Sequence, residues 1–243
     1  MKLGVLIPCY EHGSTVGAVV EGCASSGLPC LLIDDGSGPA TRETLEGLAK
    51  RYAFVELLRS PENQGKGAAL KLGYRAAAER GWGGVIQLDA DGQHDPADVP
   101  RFAHAMQSQP GTLILGVPVF DASVPRARLY ARQLSRGLVW AACRSRVIPD
   151  PLCGFRGMPL AATLAVIDRA QTGDRMEFEP EIAVRLVWAG VPVATLPTHV
   201  VYLPGGLSHF SFVRDYPLLA SLYLRLLAGM LRRAAGHRGG AAG

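Results

Sequence analysis

The chain lacks a pair of cysteines at metal-ligand spacing, an uninterrupted apolar run of the ~20 residues that a membrane span needs, and any abundance of aromatic residues. Each absence closes off a class. Cys9, Cys23, Cys30, Cys143 and Cys153 are odd in number and form no CxxC, which argues against a disulfide framework and a zinc site and fits reduced thiols. The longest apolar stretch, 217–231, is broken by Arg225, so no spanning helix is expected. MKLGVLIPCY meets proline too early for a signal peptide and reads as a first strand. Aromatics are only 7% of the chain and never alternate with a basic run, so the mild net charge of +4 does not point to nucleic acid. Neither the GxxxxGK[ST] loop nor the GxGxxG fingerprint is present. What remains is a folded chain, 48% apolar and 19% charged, whose 243 residues suffice for a sizeable core.

The first half alternates. Apolar runs at 3–7, 31–33, 55–58, 84–88 and 112–117 read as buried strands, and 14–26, 41–52, 67–80 and 95–109 read as helices between them. Ser14 is expected to cap the first helix, and Asp95-Pro96 to start the fourth with a cap and a first-position proline. Strand and helix in strict alternation imply a mostly parallel sheet covered on both faces, an α/β architecture. In the second half, 126–144 and 178–189 read as helices, 149–159 as a Gly/Pro-rich loop, and 192–197 and 200–203 as two strand-like stretches. The chain from Tyr216 reads as an apolar helix trailing into Arg232, Arg233 and a disordered HRGGAAG. No internal repeat or separating linker is evident, so 1–215 is expected to be one domain with halves at 1–118 and 119–215, followed by a terminal helix and tail at 216–243.

The polar clusters of the first half all fall where strands end, and in open α/β sheets ligands sit beyond the carboxyl ends of strands, so they form one expected site. Asp34-Asp35-Gly36-Ser37 suits a turn, or a carboxylate that accepts hydrogen bonds from a ribose or base. Asn63-Gln64-Gly65-Lys66-Gly67 opens a helix whose N-terminus favours an anion, with Lys66 as an added charge. Asp89-Ala90-Asp91 is sharpest. Alternate residues leaving a strand point the same way, so Asp89, Asp91 and the Gln93 carbonyl make an oxygen-rich set for Mg²⁺ or Mn²⁺, completed by diphosphate oxygens and water. His94 reads as a loop residue. Arg128, Arg132 and Arg136 share one helical face without interleaved acids, which suits phosphates or anionic headgroups as well as solvent, and Arg156 is a second candidate phosphate binder. Of Glu177, Glu179 and Glu181, some favour the helix N-terminus by charge, while Glu179 or Glu181 is a candidate general base for an acceptor hydroxyl.

In order and spacing, IPCYEH, IDDGS, NQGKGAAL, LDADGQHDP and CGFRG resemble the family 2 glycosyltransferases with the GT-A fold, most closely the dolichol- or polyprenyl-phosphate mannosyltransferase branch, over about residues 2–210. The resemblance implies a Rossmann-like mostly parallel sheet, a nucleotide-sugar donor, one divalent metal and inversion at the anomeric carbon. It implies that Pro8, Tyr10 and Glu11, with Asp34 and Asp35, hold the nucleoside, with Lys66 nearby. Asp89, Asp91 and Gln93, the DXD-type set, would bind metal and diphosphate. Ser135-Arg136 and Arg156 would face donor or acceptor phosphates. The branch continues with an arginine and GxSK; here Leu203 and GGLSHF stand instead, and His209 takes the lysine's place.

Together these features lead to the expectation of a transferase at the cytoplasmic face of a membrane, peripherally bound, acting on a lipid-linked acceptor phosphate. A hydroxyl acceptor of a lipid or glycan with a glutamate base is the alternative. A nucleotidyltransferase is disfavoured because Cys9-Tyr10-Glu11-His12 stands where its Gly-rich basic loop would be, and a non-catalytic nucleotide-sugar binding module because the Asp89–Asp91 pair is intact.

Overall fold

The computed structural model describes residues 1–120, 124, 126–201 and 212–239, and of 126–128, 212–216 and 236–239 the backbone alone. The sequence opens into β1 (Leu3–Cys9), α1 (Val16–Cys23), β2 (Cys30–Asp34), α2 (Pro39–Arg51), β3 (Val55–Arg59), α3 (Lys66–Glu79) and β4 (Gly84–Gln87). All four strands run parallel in the spatial order β3-β2-β1-β4. The runs that form β1, β2 and β4 are apolar up to the terminal Asp34 of β2 and Gln87 of β4 because helices cover both faces of the sheet, and every residue of these three strands is buried. The pleat divides β1 between two cores: Leu6 packs with Leu31, Leu70, Tyr74 and Phe178, whereas Val5 and Ile7 pack with Leu32, Ile86, Phe102 and Phe155.

Asp95 accepts from the Ala97 amide at 2.9 Å, the expected cap, ahead of a short 3₁₀ turn and α4 (Val99–Ser108). Ser14 is not the cap of α1. That position is Thr15, whose hydroxyl instead donates to the Ala90 carbonyl at 2.7 Å and ties the first loop to the acidic one. β5 (Leu113–Phe120) and α5 (Arg126–Cys143) follow as expected.

The next elements depart from expectation. The end of the Gly/Pro-rich loop is a strand, β6 (Arg156–Pro159), inserted antiparallel between β4 and β5. Four residues, one charged and two of them Gly and Pro, carry no periodic signal, and only the pairing partners on both sides make them a strand. After β6 come α6 (Leu160–Arg169), absent from the expected elements, then α7 (Phe178–Trp188). The two strand-like stretches after it are one strand, β7 (Val193–Val200), paired in parallel with the whole of β5. Pro197 is tolerated because β7 is the sheet's edge. Among the described residues the sheet has seven strands, ordered β3-β2-β1-β4-β6-β5-β7, and it joins the two expected halves without a break.

The terminal helix, α8 (Phe212–Gly239), starts before Tyr216 and continues well into the stretch read as disordered. Leu222, Tyr223 and Leu226 are buried against the domain, and Gly229 lets α8 approach the Trp188 ring. No helix among the described residues is long and apolar enough to cross a membrane. All five cysteines are free, as expected.

Gly4 sits in β1 where an added Cβ would overlap the buried Trp82 ring. Gly4→Ala should therefore lower unfolding stability by about 1–3 kcal/mol, the usual range for overpacking, read as a fall in denaturation midpoint at unchanged slope.

Candidate active site

In-register pairing sets the ends of β1, β2 and β4 at one edge: Cys9 lies opposite Asp34, and Leu6 opposite Gln87. The segments that leave those ends border a single cavity of about 1440 Å³. Pro8, Tyr10, Asp35, Lys66, Asp89, Asp91 and Gln93 all line it, so the expected convergence of four clusters holds for these members.

Two members of the expected nucleoside set lie elsewhere. The Glu11 carboxylate accepts from the Gly38 amide at 2.6 Å and from the Thr41 hydroxyl at 2.9 Å, clipping the first loop to the second, and Glu11 itself adopts φ 54°. Asp34 is fully buried and is held by Arg59 Nε at 2.8 Å and the Ser37 amide at 2.9 Å. Neither side chain borders the cavity. Asp35 does, and three donors converge on it: the Gln64 amide (3.0 Å), the Gly65 amide (2.8 Å) and the Asn63 side-chain amide (3.0 Å). Burial raises its pKa, against the pull of the two backbone amides.

That arrangement corrects the reading of NQGKG. The Gln64 and Gly65 amides at the start of α3 are already taken by the protein's own Asp35 carboxylate. The glycines serve chain packing: a Cβ on Gly65, whose φ is 109°, or on Gly67 would overlap the backbone of Asp174, and the Ala68 amide donates to the Asp174 carbonyl at 2.9 Å.

Lys66 sits between two carboxylates. Its ammonium lies 2.7 Å from Asp89 Oδ1 and 2.6 Å from Glu179 Oε2. Burial opposes its charge, but the two carboxylates prevail and raise its pKa. For Asp89 burial also opposes ionisation; Lys66 foremost, then His94 and Arg156, holds its pKa below the usual carboxylate value. The other oxygen of Glu179 accepts from Gln87 Nε2 at 2.6 Å, and Gln87 in turn accepts from the Tyr74 hydroxyl at 2.6 Å. Behind Asp89 stands Gly154 of CGFRG, where a Cβ would overlap the carboxylate. Asp91 accepts from the Gln93 amide at 3.0 Å. His94 is no loop bystander. It is buried in the cavity wall, edge-on to Phe155 with ring centroids 5.6 Å apart, and its Nδ1 has no hydrogen-bond partner.

Among the described residues no group of three His, Cys, Asp or Glu forms a ready-made metal site. Asp89, Asp91 and Gln93 nonetheless fit a hard cation that takes its remaining ligands from substrate oxygens and water. Charge favours the same fit. The described wall carries four carboxylates (Asp35, Asp89, Asp91, Glu179) against three cations (Lys66, Arg132, Arg175), so a diphosphate entering it needs added positive charge.

The arginines sort differently from their sequence pattern. Arg132 lines the cavity, and its Nη1 donates to both carboxylate oxygens of Asp150, at 2.8 and 2.7 Å. Arg136 turns away, donating to Gln133 and lying over the Trp140 ring at 4.9 Å; its neighbour Ser135 borders the cavity. Arg156 is fully buried in β6, and its guanidinium donates to the carbonyls of Cys153 (2.7 Å), Glu179 (2.6 Å) and Pro151 (2.7 Å), so it ties loops together rather than facing a phosphate. Glu181 likewise has no exposed surface and is held by Arg185 at 2.9 and 2.7 Å and by the Gly173 amide at 2.9 Å, which removes it as a base candidate. The side chain of Arg128, and Leu203 and His209 altogether, lie outside the described residues. Arg175 is the cation that motif reading missed: it lines the cavity from the unpatterned TGDRME segment and reaches Asn63 at 3.4 Å.

A family model described as "Glycosyl transferase family 2" matches residues 4–158. Among curated proteins, the chain is 27% identical over 179 residues to "Undecaprenyl-phosphate mannosyltransferase" of Micrococcus luteus, covering 69% of this chain and 70% of that protein. It is 27% identical over 164 residues to "Dolichol-phosphate mannosyltransferase" of Pyrococcus furiosus, covering 64% of this chain and only 45% of that protein's length. Among solved structures, "Mannosyltransferase PcManGT from Pyrobaculum calidifontis in complex with GDP-Man and Mn2+" superposes with a TM-score of 0.59 at 17% identity, covering 100% of this chain and 76% of that one. S. aureus TarS 1-349 in complex with UDP-GlcNAc gives 0.61 at 14% identity, covering 96% and 72%. These two likenesses show the fold, the helix-flanked, mostly parallel sheet of the GT-A glycosyltransferases.

Two substitutions separate structural from site roles in this region. Arg156→Met leaves three buried carbonyls without their donor and should destabilise the protein by about 3–5 kcal/mol, measured by chemical denaturation. Gly154→Ala displaces the Asp89 carboxylate and should reduce sugar transfer by at least roughly tenfold, on the order of a 1.4 kcal/mol loss, with a far-UV spectrum unchanged from wild type.

Proposed function

This chain belongs to glycosyl transferase family 2 and is a glycosyltransferase, and from that premise we propose that it is an inverting, divalent-metal-dependent enzyme that moves a sugar from a nucleoside-diphosphate sugar to a polyprenyl phosphate or another lipid-linked acceptor. The observation that carries the acceptor class is the two-part character of the cavity. Its floor holds the carboxylates and Lys66. Its other end runs between α5 and α8 and is lined by Leu134, Leu138, Leu219, Tyr223, Leu224 and Leu227. At that end Tyr130, Leu134 and Leu224 are 75%, 68% and 69% exposed. Large apolar side chains at a cavity mouth suit an isoprenoid chain, each buried CH₂ of which contributes about 0.8 kcal/mol. Arg136 and Arg146 flank Trp140 beside this region, and exposed Arg232 and Arg233 lie near the end of α8, a combination suited to an anionic bilayer. This reading sets the enzyme at the cytoplasmic face of a membrane; that rim and the free thiols support it.

In this reading the nucleoside lies toward Pro8, Tyr10 and Asp35, and Asp89, Asp91 and Gln93 would hold Mg²⁺ or Mn²⁺. A bound divalent ion supplies positive charge where the departing nucleoside diphosphate develops negative charge. Lys66 and Arg175 orient the donor, and Arg132 the acceptor phosphate. The acceptor oxygen attacks the anomeric carbon from the face opposite the leaving group, which inverts configuration.

A phosphate acceptor is already ionised at neutral pH, and the state of Glu179 favours that choice. One of its oxygens accepts from Gln87, the other pairs with Lys66, and it must release Lys66 before it can take a proton. The hydroxyl-acceptor reading keeps Glu179 as base, because it is the one glutamate among the described residues that lines the cavity.

The enzyme should be stabilised in a thermal melt by UDP or GDP with Mn²⁺, and Asp91→Ala should abolish that shift and lower transfer by roughly 100-fold. Failure of both nucleotides to stabilise it in the presence of metal argues against the donor assignment. Leu134→Glu/Leu224→Glu should leave the nucleotide shift intact while removing transfer to a long-chain polyprenyl phosphate; unchanged lipid transfer would count against the acceptor assignment. Glu179→Gln distinguishes the acceptors, since loss of more than about 100-fold in kcat at unchanged KM marks a base and hence a hydroxyl.

A further inference from the structure

We propose that Lys66 is the resident counter-cation of the Asp89 carboxylate and that it holds the metal off Asp89 until a nucleoside diphosphate arrives, so that metal and donor bind as a coupled pair. This rests on the metal-dependent reading above. Lys66 is the first residue of α3, and the segment packed on Gly65 and Gly67 fixes that turn against the domain. Its ammonium therefore emerges from a rigid base and lands 2.7 Å from Asp89 and 2.6 Å from Glu179. Neither acid can drift away. Glu179 is anchored through Gln87 to Tyr74 by two bonds of 2.6 Å each. Asp89 backs onto Gly154, and the loop that carries it is tied by the Thr15 hydroxyl to the Ala90 carbonyl at 2.7 Å.

A cation that approaches Asp89 in the donor-free protein must displace an ammonium that stays tethered to Glu179 nearby. Two like charges then face each other at the partly dry base of the cavity, where screening is weak. A diphosphate reverses the balance. Its oxygens complete the metal's shell and offer Lys66 a replacement anion, so the ammonium turns from Asp89 to phosphate while the metal takes Asp89. Coupling of this kind is reciprocal: the nucleotide raises metal affinity by the same factor as the metal raises nucleotide affinity. Without Lys66 the Asp89 carboxylate is open to the metal from the start, and the coupling shrinks.

Mn²⁺ binding is read directly, by loss of the free-ion electron paramagnetic resonance signal at pH 8, with and without saturating UDP or GDP. For the wild type, nucleotide should tighten Mn²⁺ binding at least tenfold. Lys66→Met should bind Mn²⁺ at least tenfold more tightly than wild type without nucleotide, with a smaller gain on adding it. Because Lys66→Met alone takes the ion-pair partner from both Asp89 and Glu179, Lys66→Met/Glu179→Gln removes one charge of each sign and is the decisive variant, its fold checked by thermal melting. If the folded double variant binds Mn²⁺ no more tightly than wild type without nucleotide, while wild type with nucleotide binds it, the gating role of Lys66 is wrong and the metal-dependent reading stands. If wild type takes up no Mn²⁺ even with nucleotide, both fall together.

Discussion

A charge withdrawn from water at the edge of a sheet needs a partner inside the protein, and this requirement organises the whole carboxyl edge of the fold. Asp34 is met by Arg59, Asp35 by three amide donors, Asp89 and Glu179 by Lys66, Glu181 by Arg185, and Asp150 by Arg132. The pairings differ in where they lie. Asp34 and Glu181 are themselves fully buried and paired away from the cavity, whereas Asp35, Asp89 and Glu179 meet their partners on the cavity wall. Position, not residue type, separates a scaffold carboxylate from one that a ligand can reach.

β6 carries this constraint from the core to the site. It is a four-residue strand without a helix-covered apolar run of its own, yet it lies inside the sheet between β4 and β5, antiparallel to both neighbours. Arg156 makes that possible. Its guanidinium satisfies carbonyls of the 151–153 loop and of Glu179 at once, so the loop before β6 and the first turn of α7 are held in one geometry. Gly154 is thereby set against Asp89, and Glu179 against Lys66. A fully buried arginine thus acts on the cavity at one remove, through the backbone it ties together and through its charge, which helps keep Asp89 ionised.

The parallel half was legible in the sequence because its physics is periodic. Fully covered strands read as apolar runs, helices between them as 3.6-residue stripes, and strand ends as polar clusters. The acidic loop was legible for the same reason: Asp89 and Asp91 follow directly on a strand, Asp95 starts a helix, and only the former pair reaches the cavity. What escaped depends on contacts distant in sequence. β6 exists through its partners, and Arg175 reaches the cavity only because the segment it occupies packs on Gly65 and Gly67. Helical spacing placed Arg132 and Arg136 on one face, but four residues advance a helix by about 400°, and a long side chain settles on whatever partner is near. Asp150 holds Arg132 at the cavity, whereas Trp140 draws Arg136 away. The glycines of NQGKG signalled close approach correctly; what approaches is the chain itself.

The division of the cavity into a charged floor and an apolar mouth arises from opposite demands on the same fold. The floor is built by strand ends whose order in the sheet is rigid, and its charges are tolerable because amides, Lys66 and Arg156 surround them. The mouth is built by α5 and α8, whose sequences are separated by β6, α6, α7 and β7. Leu222 and Leu226 of α8 turn inward and stabilise the helix pair, so the exposure of Leu224, Tyr130 and Leu134 is not a failure to find a core. A helix that buries one face and keeps large apolar side chains on the other, at the rim of a cavity, gains from a second apolar phase there. An acceptor with an apolar tail and a phosphate head would satisfy both ends together, its head drawn toward the cations of the floor and its tail completing the mouth. A fully polar acceptor would leave the mouth in water.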